Sequence, residues 1–220
     1  MSVRYISRGG RILEGQDIDY RPFYAACEGS FFGSLYYGSA IILSPDYILT
    51  FTFEFSINRV AYGLQPGQTL QSAFSSPNVV NVIDSDDISD FLRILKVSPP
   101  IPFGPDVGAA RISDCSGPSY PVVGDQVAFY GLGKDETGQY PDHVQVGCGQ
   151  ITQLNCYTLP SLICILSPSG IGDNGGPIIK MGPDGYYLTA MIFTASSVIG
   201  EGAHIMVCQH YETIQSIINS

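Results

Sequence analysis

Gly172-Asp173-Asn174-Gly175-Gly176-Pro177 is the stretch that decides the reading of this chain. Three glycines and a proline within six residues specify a tight bend. Asn174 stands in the middle of it. An amide is not a nucleophile, because its nitrogen lone pair is delocalised into the carbonyl. Around the bend lie apolar runs of strand length, at 162–166, 177–180 and 186–193.

The same texture continues outward. Residues 39–43 and 47–53 are apolar, β-branched or aromatic runs joined by Ser44-Pro45-Asp46, the signature of a hairpin. Further strands are expected at 78–83, 91–97, 107–112, 126–130, 143–151 and 203–208. About a dozen short strands at such spacing specify an all-β protein built of sandwiches or barrels, not a doubly wound sheet. One segment departs from the pattern. Residues 210–219 place Tyr211, Ile214, Ile217 and Ile218 on one side of a helical wheel, as expected of an amphipathic C-terminal helix docked on what precedes it. No internal repeat is visible. The Pro-rich piece 98–105 reads as a loop, and the passage between two halves is expected at 113–120.

Composition narrows the functional classes. With 220 residues the chain suits one large domain or two small barrels, and 45% hydrophobic residues suffice for a sizeable core. The net charge is −10, with ten Lys and Arg in all, too few for a basic stripe along a phosphate backbone. Nucleic acid is therefore not expected as a partner. No apolar run reaches the ~18 residues of a membrane-spanning helix. The densest acidic cluster, 84–90, reads as a solvated loop. The six cysteines, Cys27, Cys115, Cys148, Cys156, Cys164 and Cys208, contain no CxxC pair, which argues against zinc. Their even number points to disulfides and an oxidising compartment, the alternative being six free thiols. Residues 1–11 lack the apolar segment of a signal peptide, so the expectation is an extracellular protein whose signal peptide lies outside this chain.

Five motifs in order resemble the trypsin/chymotrypsin-like serine proteases. Arg11-Ile12-Leu13-Glu14-Gly15 resembles their activation junction, and Gly38-Ser39-Ala40-Ile41-Ile42 with Tyr47-Ile48-Leu49-Thr50 the two strands before their histidine. Asp106-Val107-Gly108-Ala109-Ala110 resembles the strand that opens with their aspartate, Gly131-Leu132-Gly133 a turn between glycines, and 172–177 the serine elbow. The resemblance covers the chain from Arg11 onward. It implies two antiparallel six-stranded β-barrels and a C-terminal α-helix: a leader-like segment 1–11, barrels over 12–112 and 113–208, and the helix over 209–220. It also implies disulfides Cys156–Cys164, Cys115–Cys208 and, held more loosely, Cys27–Cys148. Family cysteine pairs become Tyr37 with Glu54 and Val127 with Lys180, and in a third pair one cysteine becomes Gly170.

The family's chemistry needs a serine to attack, a histidine to take its proton and an aspartate to orient the histidine. The resemblance places Phe53, Asn174 and Asp106 at these three positions, so only the aspartate is kept. The remaining imidazoles, His143, His204 and His210, are not expected to reach Asn174. Gly172 and Asn174 would supply the N–H groups of an oxyanion hole. Asp173 would pair with an ammonium freed at Ile12. Pro168, Phe193 and His204 fall in the specificity pocket, where Pro168 carries no charge. Phe53 and Phe193 are expected to pack over Asp106 and fill the old cleft. No cofactor is implied. The expected function is a secreted, catalytically inactive homologue that binds a protein partner. Inactivated relatives of this kind interfere with host complement in parasitic mites and act as cofactors in arthropod immune cascades; Val122-Val123-Gly124-Asp125-Gln126-Val127 looks somewhat like mite digestive proteases. Phe31-Phe32-Gly33-Ser34-Leu35-Tyr36-Tyr37 is a candidate contact surface, with at least half its side chains expected to be buried. The rival expectation is a repurposed enzyme or binder of lipophilic small molecules, using a cleft of Phe53, Phe193 and Tyr37 with Asp106 or Glu54 as acid or base.

Overall fold

The computed structural model describes residues 22–53, 56–65, 67–132, 143–166, 173–182, 185–193 and 201–220. The first six strands are β1 (Tyr24–Phe31), β2 (Ser34–Ile42), β3 (Tyr47–Phe51), β4 (Ser56–Tyr62), β5 (Val79–Asp87) and β6 (Leu92–Ser98). They close into an antiparallel barrel in the order β1-β2-β3-β6-β5-β4. A short helix, α1 (Leu70–Phe74), joins β4 to β5, with the Thr69 hydroxyl accepting from the Ser72 N–H at its start. After β7 (Arg111–Ile112) come β8 (Gln126–Gly131), β9 (Gln145–Leu154), β10 (Leu162–Leu166), β11 (Pro177–Gly182), β12 (Gly185–Ile192) and β13 (Glu201–Met206). Their order is β11-β8-β9-β10-β13-β12, and the β11–β12 pairing closes the second barrel. Numbered within its own barrel, each set of strands runs 1-2-3-6-5-4. The topology is duplicated although the sequence shows no repeat.

The apolar runs are continuous because both faces of the strands are covered. On β2, Ala40 and Ile42 point into the first barrel with Ala25, Cys27, Ile48 and Leu95. Ile41, between them, points outward into a core shared by both barrels, with Leu49, Ile94, Tyr130, Ile179, Met191 and Ile205. The second barrel is filled by Phe129, Ile151, Ile163, Ile165, Ile178, Ala190 and Met206. The C-terminal helix, α2 (Tyr211–Ile218), follows a 3-10 turn at Val207–His210. It buries Ile214 in the shared core and packs Ile217 and Ile218 against it, the face that the periodicity specified.

Several details differ from the sequence reading. The strand expected at 107–112 shrinks to Arg111–Ile112, which adds to β12 in parallel. The Ala110 N–H still donates to the Ile42 carbonyl of the first barrel, whereas Arg111 pairs with Tyr187 of the second. The passage between barrels therefore sits at Ala110 and Arg111, ahead of the 113–120 segment and of the 112/113 boundary. The acidic run is not a loop throughout: Asp84, Asp86 and Asp87 lie on the exposed end of β5, where Asp87 accepts two hydrogen bonds from Arg93. β1, β4 and α1 have no counterpart among the expected elements.

Two disulfides form, Cys115–Cys208 and Cys156–Cys164. Cys27 and Cys148 are free thiols, Cys27 buried in the first barrel and Cys148 exposed on the second. This corrects the third pairing: the two cysteines belong to different barrels and point away from any common space. Val127 and Lys180 stand directly opposite each other on β8 and β11, as a cross-strand pair should. Lys180 uses the position for an ion pair with Asp125 at 2.6 Å and a hydrogen bond to the Tyr120 carbonyl at 2.8 Å. Among the described residues no helix is long and apolar enough to cross a membrane.

Candidate functional site

The glycine-rich bend folds as a turn. The Gly176 N–H donates to the Asp173 carbonyl at 2.9 Å, with Asn174 and Gly175 between them. Gly175 has φ +82°, the value required of the third residue of a type II turn and one that L side chains disfavour. The bend is pinned to the end of β12 by Gly175 N–H to Ile192 O at 3.0 Å and Ile192 N–H to Gly176 O at 2.8 Å. A Cβ on Gly176 would collide with the Tyr130 carbonyl, so β8 holds the other side. The turn also reaches the first barrel: a Cβ on Gly175 would lie 2.9 Å from the Ser39 carbonyl and 3.2 Å from the Phe53 ring. Asn174 is half-buried at this seam, and Asp173 is buried with its carboxylate against the Cα of Gly131.

Phe53 follows the end of β3. Its ring covers Gly38 of β2 so closely that a Cβ there would fall 2.6 Å from it, and the Cys27 sulfur approaches the same point to 3.0 Å. The Cys27 thiol also faces the Thr50 hydroxyl at 3.9 Å, and burial pushes its pKa up to about 12. Phe53 is one of four phenylalanine rings in mutual contact. Phe51 and Phe53 meet edge to face at 5.6 Å, Phe51 lies 6.0 Å from Phe193, and Phe91 lies 4.3 Å from Phe193. Such contacts are favourable beyond the area they bury. They link the end of the first barrel to the end of β12, beside the bend.

Asp106 is not part of this assembly. It is exposed in a turn closed by the Gly104–Val107 bridge. Phe193 packs at a tilt against Phe91 and Phe51. The packing of Phe53 and Phe193 over Asp106 is thereby corrected. The aspartate that opens the strand beside Phe53 is Asp90. Phe51 pairs with Leu92 and the Thr52 N–H donates to the Phe91 carbonyl at 3.1 Å, so the same register brings Phe53 level with Asp90. Asp90 is exposed. The signal was in the sequence: Asp90 precedes an unbroken strand, Phe91-Leu92-Arg93-Ile94-Leu95, whereas Asp106 precedes Val107-Gly108-Ala109-Ala110, which is poor in strand formers.

The three histidines occupy other places. His204 alternates with Met206 on the inside of the second barrel, fully buried, edge-on to Phe129 at 5.8 Å. Neither ring nitrogen has a hydrogen-bond partner, and burial lowers the pKa to about 3, which leaves the imidazole neutral. His210 is half-buried at the start of α2, and His143 precedes β9. Arg11, Ile12, Glu54, Gly133, Pro168, Gly170, Gly172, Thr194 and Ala195 lie outside the described residues. Among the described residues, no three His, Cys, Asp or Glu side chains are grouped to hold a metal.

What the bend, the rings and the closed barrels add up to is a scaffold that fits a trypsin-like fold, with the Phe53 ring against Gly175, the residue after Asn174. Phenylalanine has no ring nitrogen to accept a proton, and asparagine has no hydroxyl to attack. The chain matches no protein-family model and no curated protein.

Proposed function

We propose that this protein is an extracellular, catalytically inert homologue of the trypsin/chymotrypsin-like serine proteases that acts by binding another protein. The observation that carries the reading is the Phe51–Phe53–Phe91–Phe193 ring cluster beside the bend that holds Asn174. Where covalent catalysis needs a nucleophile and a base within hydrogen-bond reach, the seam holds an amide and apolar rings. Loss of either reacting group alone costs orders of magnitude in rate. The two disulfides suit an oxidising compartment. Loops on a rigid double barrel are the usual carriers of binding. Interference with a host protease cascade such as complement is the form of binding that the resemblance suggests. The repurposed-cleft reading has less support, because the rings stack on one another and Asp106 faces solvent elsewhere.

Asn174→Ser alone should leave the protein unable to cleave a peptide library or to react with a serine-directed covalent probe, because Phe53 still supplies no base. Appreciable turnover by that single variant would reveal a hidden base and end the reading. Binding is tested by affinity capture from host serum or haemolymph followed by mass spectrometry. Recovery of the same bound protein by wild type and by Asn174→Ser is the expected result.

A further inference from the structure

The hairpin formed by β1 and β2 runs past the rest of its barrel. Phe32, at φ 49°, and Gly33, at φ 80°, make a two-residue turn of the type that matches strand twist. β3 accompanies β2 only from Ala40 to Ile42, and β4 accompanies β1 only as far as Ser30. All seven residues from Phe31 to Tyr37 are exposed, against the expectation that half would be buried. Phe31, Phe32, Leu35, Tyr36 and Tyr37 are exposed by 38, 94, 64, 44 and 38%. At about 150–250 Å² per large side chain this is on the order of 500 Å² of apolar surface, more than scattered exposure accounts for.

The backbone parity of the hairpin adds direction. Phe31 and Ser34 close the turn, so they exchange hydrogen bonds, as do Gly29 with Tyr36 and Cys27 with Gly38 in the alternating antiparallel pattern. Leu35 and Tyr37 fall between them, and their N–H and C=O groups turn away from β1. Ser39 and Ile41 continue the same parity: the Ser39 carbonyl accepts from the Thr50 hydroxyl, and Ile41 pairs with Leu49 of β3. At Leu35 and Tyr37 no described strand lies on that side. The Tyr37 ring itself is anchored on Phe74 at 5.5 Å. Proteins ordinarily blunt such an edge with Lys, Pro or a bulge. The outer edge here has none of these, and residues 29–38 carry no charge at all.

We propose that this edge pairs with the same edge of a second copy of the chain, forming a two-fold symmetric dimer through antiparallel β2 strands. Setting Leu35 opposite Tyr37 of the second copy matches outward-facing groups on both sides and forms four new backbone hydrogen bonds. The two-fold axis then passes beside Tyr36, and the interface is isologous. The two hairpins expose about 1,000 Å² of apolar surface between them, and edge-to-edge pairing buries the part around Leu35, Tyr36 and Tyr37, the size of a weak, transient interface. The parity that turns the groups of Leu35 and Tyr37 outward in one copy turns the same groups outward in the other, so the edge is its own complement. Residues 29–38 bring no like charges to the contact, and the −10 of each body opposes it only at longer range. The proposal does not depend on whether the reaction centre is inert.

Sedimentation equilibrium of the full chain in the micromolar range, at low and high salt, tests it. The expected result is a concentration-dependent rise from 23.7 kDa to twice that mass, tighter at high salt because repulsion between the two acidic bodies is screened. Leu35→Pro removes an outward N–H without touching the β1 ladder and should weaken association at least about tenfold, since each copy loses a hydrogen bond. Leu35→Lys, a milder change, should do the same by placing charge on the edge, with circular dichroism and melting unchanged. A single 23.7 kDa species at every concentration and salt overturns the proposal. So does a dimer indifferent to Leu35→Lys, or a monomer that instead sediments with phosphatidylcholine vesicles.

Discussion

The two barrels share one strand order and are held together by different means. The first has an apolar interior, chiefly of small and β-branched side chains, with a free thiol, Cys27, and no disulfide among its described residues. The second is bounded by the Cys156–Cys164 bridge where β9 meets β10 and by the Cys115–Cys208 bridge to the segment before α2. It also carries the Lys180–Asp125 ion pair and encloses His204 with both nitrogens unsatisfied. Both barrels carry ion pairs, Glu28–Arg59 and Asp87–Arg93 in the first and Asp125–Lys180 in the second, so what sets the second apart is its disulfides and the unsatisfied imidazole in its core.

Reduction should separate the barrels most strongly. Cys115 and Cys208 are 93 residues apart, and loop-closure entropy gives their bridge about 4–5 kcal/mol, against about 2–3 kcal/mol for the eight-residue Cys156–Cys164 loop. Cys115→Ala/Cys208→Ala should therefore lower the denaturant midpoint more than Cys156→Ala/Cys164→Ala, and hydrogen exchange should rise in β8–β13 before β1–β6. Equal acceleration in both barrels would break the distinction. Lys180→Met comes next. It strands Asp125, whose side chain is 20% exposed, and should cost about 2 kcal/mol in chemical denaturation, less than a fully buried pair because solvent screens what remains.

His204→Phe should act in the opposite direction. Removing an unsatisfied buried imidazole should stabilise the protein by about 1–3 kcal/mol at neutral pH. The gain should grow on acidification. The folded pKa is about 3 and the ordinary value 6.5, so below 6.5 the unfolded chain binds a proton that the folded chain refuses. The stability associated with neutral His204 is complete above pH 6.5 and is lost progressively as pH falls towards 3. A thermal melt series that shows wild type and variant diverging below pH 6.5 is the check; parallel curves would mean His204 finds a partner. The smallest effect concerns the two thiols. A disulfide reagent should label one cysteine per native chain, Cys148, faster at higher pH because partial burial raises its pKa as well, while Cys27 reacts only after unfolding.

The strand texture of the sequence contained the architecture, because strands covered on both faces read as plain apolar runs. It concealed β1 and β4. β1 mixes Ala, Cys, Glu, Gly and Ser, and Ser56-Ile57-Asn58-Arg59-Val60-Ala61-Tyr62 disguises a strand whose partner register shifts at Glu28 and Gly29. The bend around Asn174 and the place of Phe53 were legible because turn glycines and a strand end fix them locally. The aspartate was legible only in part: Asp90 heads the better strand former of the two, but its level with Phe53 comes from the β3–β6 register. The free pair Cys27 and Cys148 escaped for a related reason: an even count of cysteines says nothing about which barrel each one faces.

Each barrel draws its six strands from one unbroken stretch of chain, 24–98 and 126–206, and a common apolar seam fills the space between them. A backbone cut between Pro102 and Pro105 would sever no ladder. The two pieces would stay joined by the shared apolar core and by the backbone hydrogen bonds from Gly108 to Pro22 and from Ala110 to Ile42, so a nicked molecule should hold together and, made as separate halves, should reassemble on mixing.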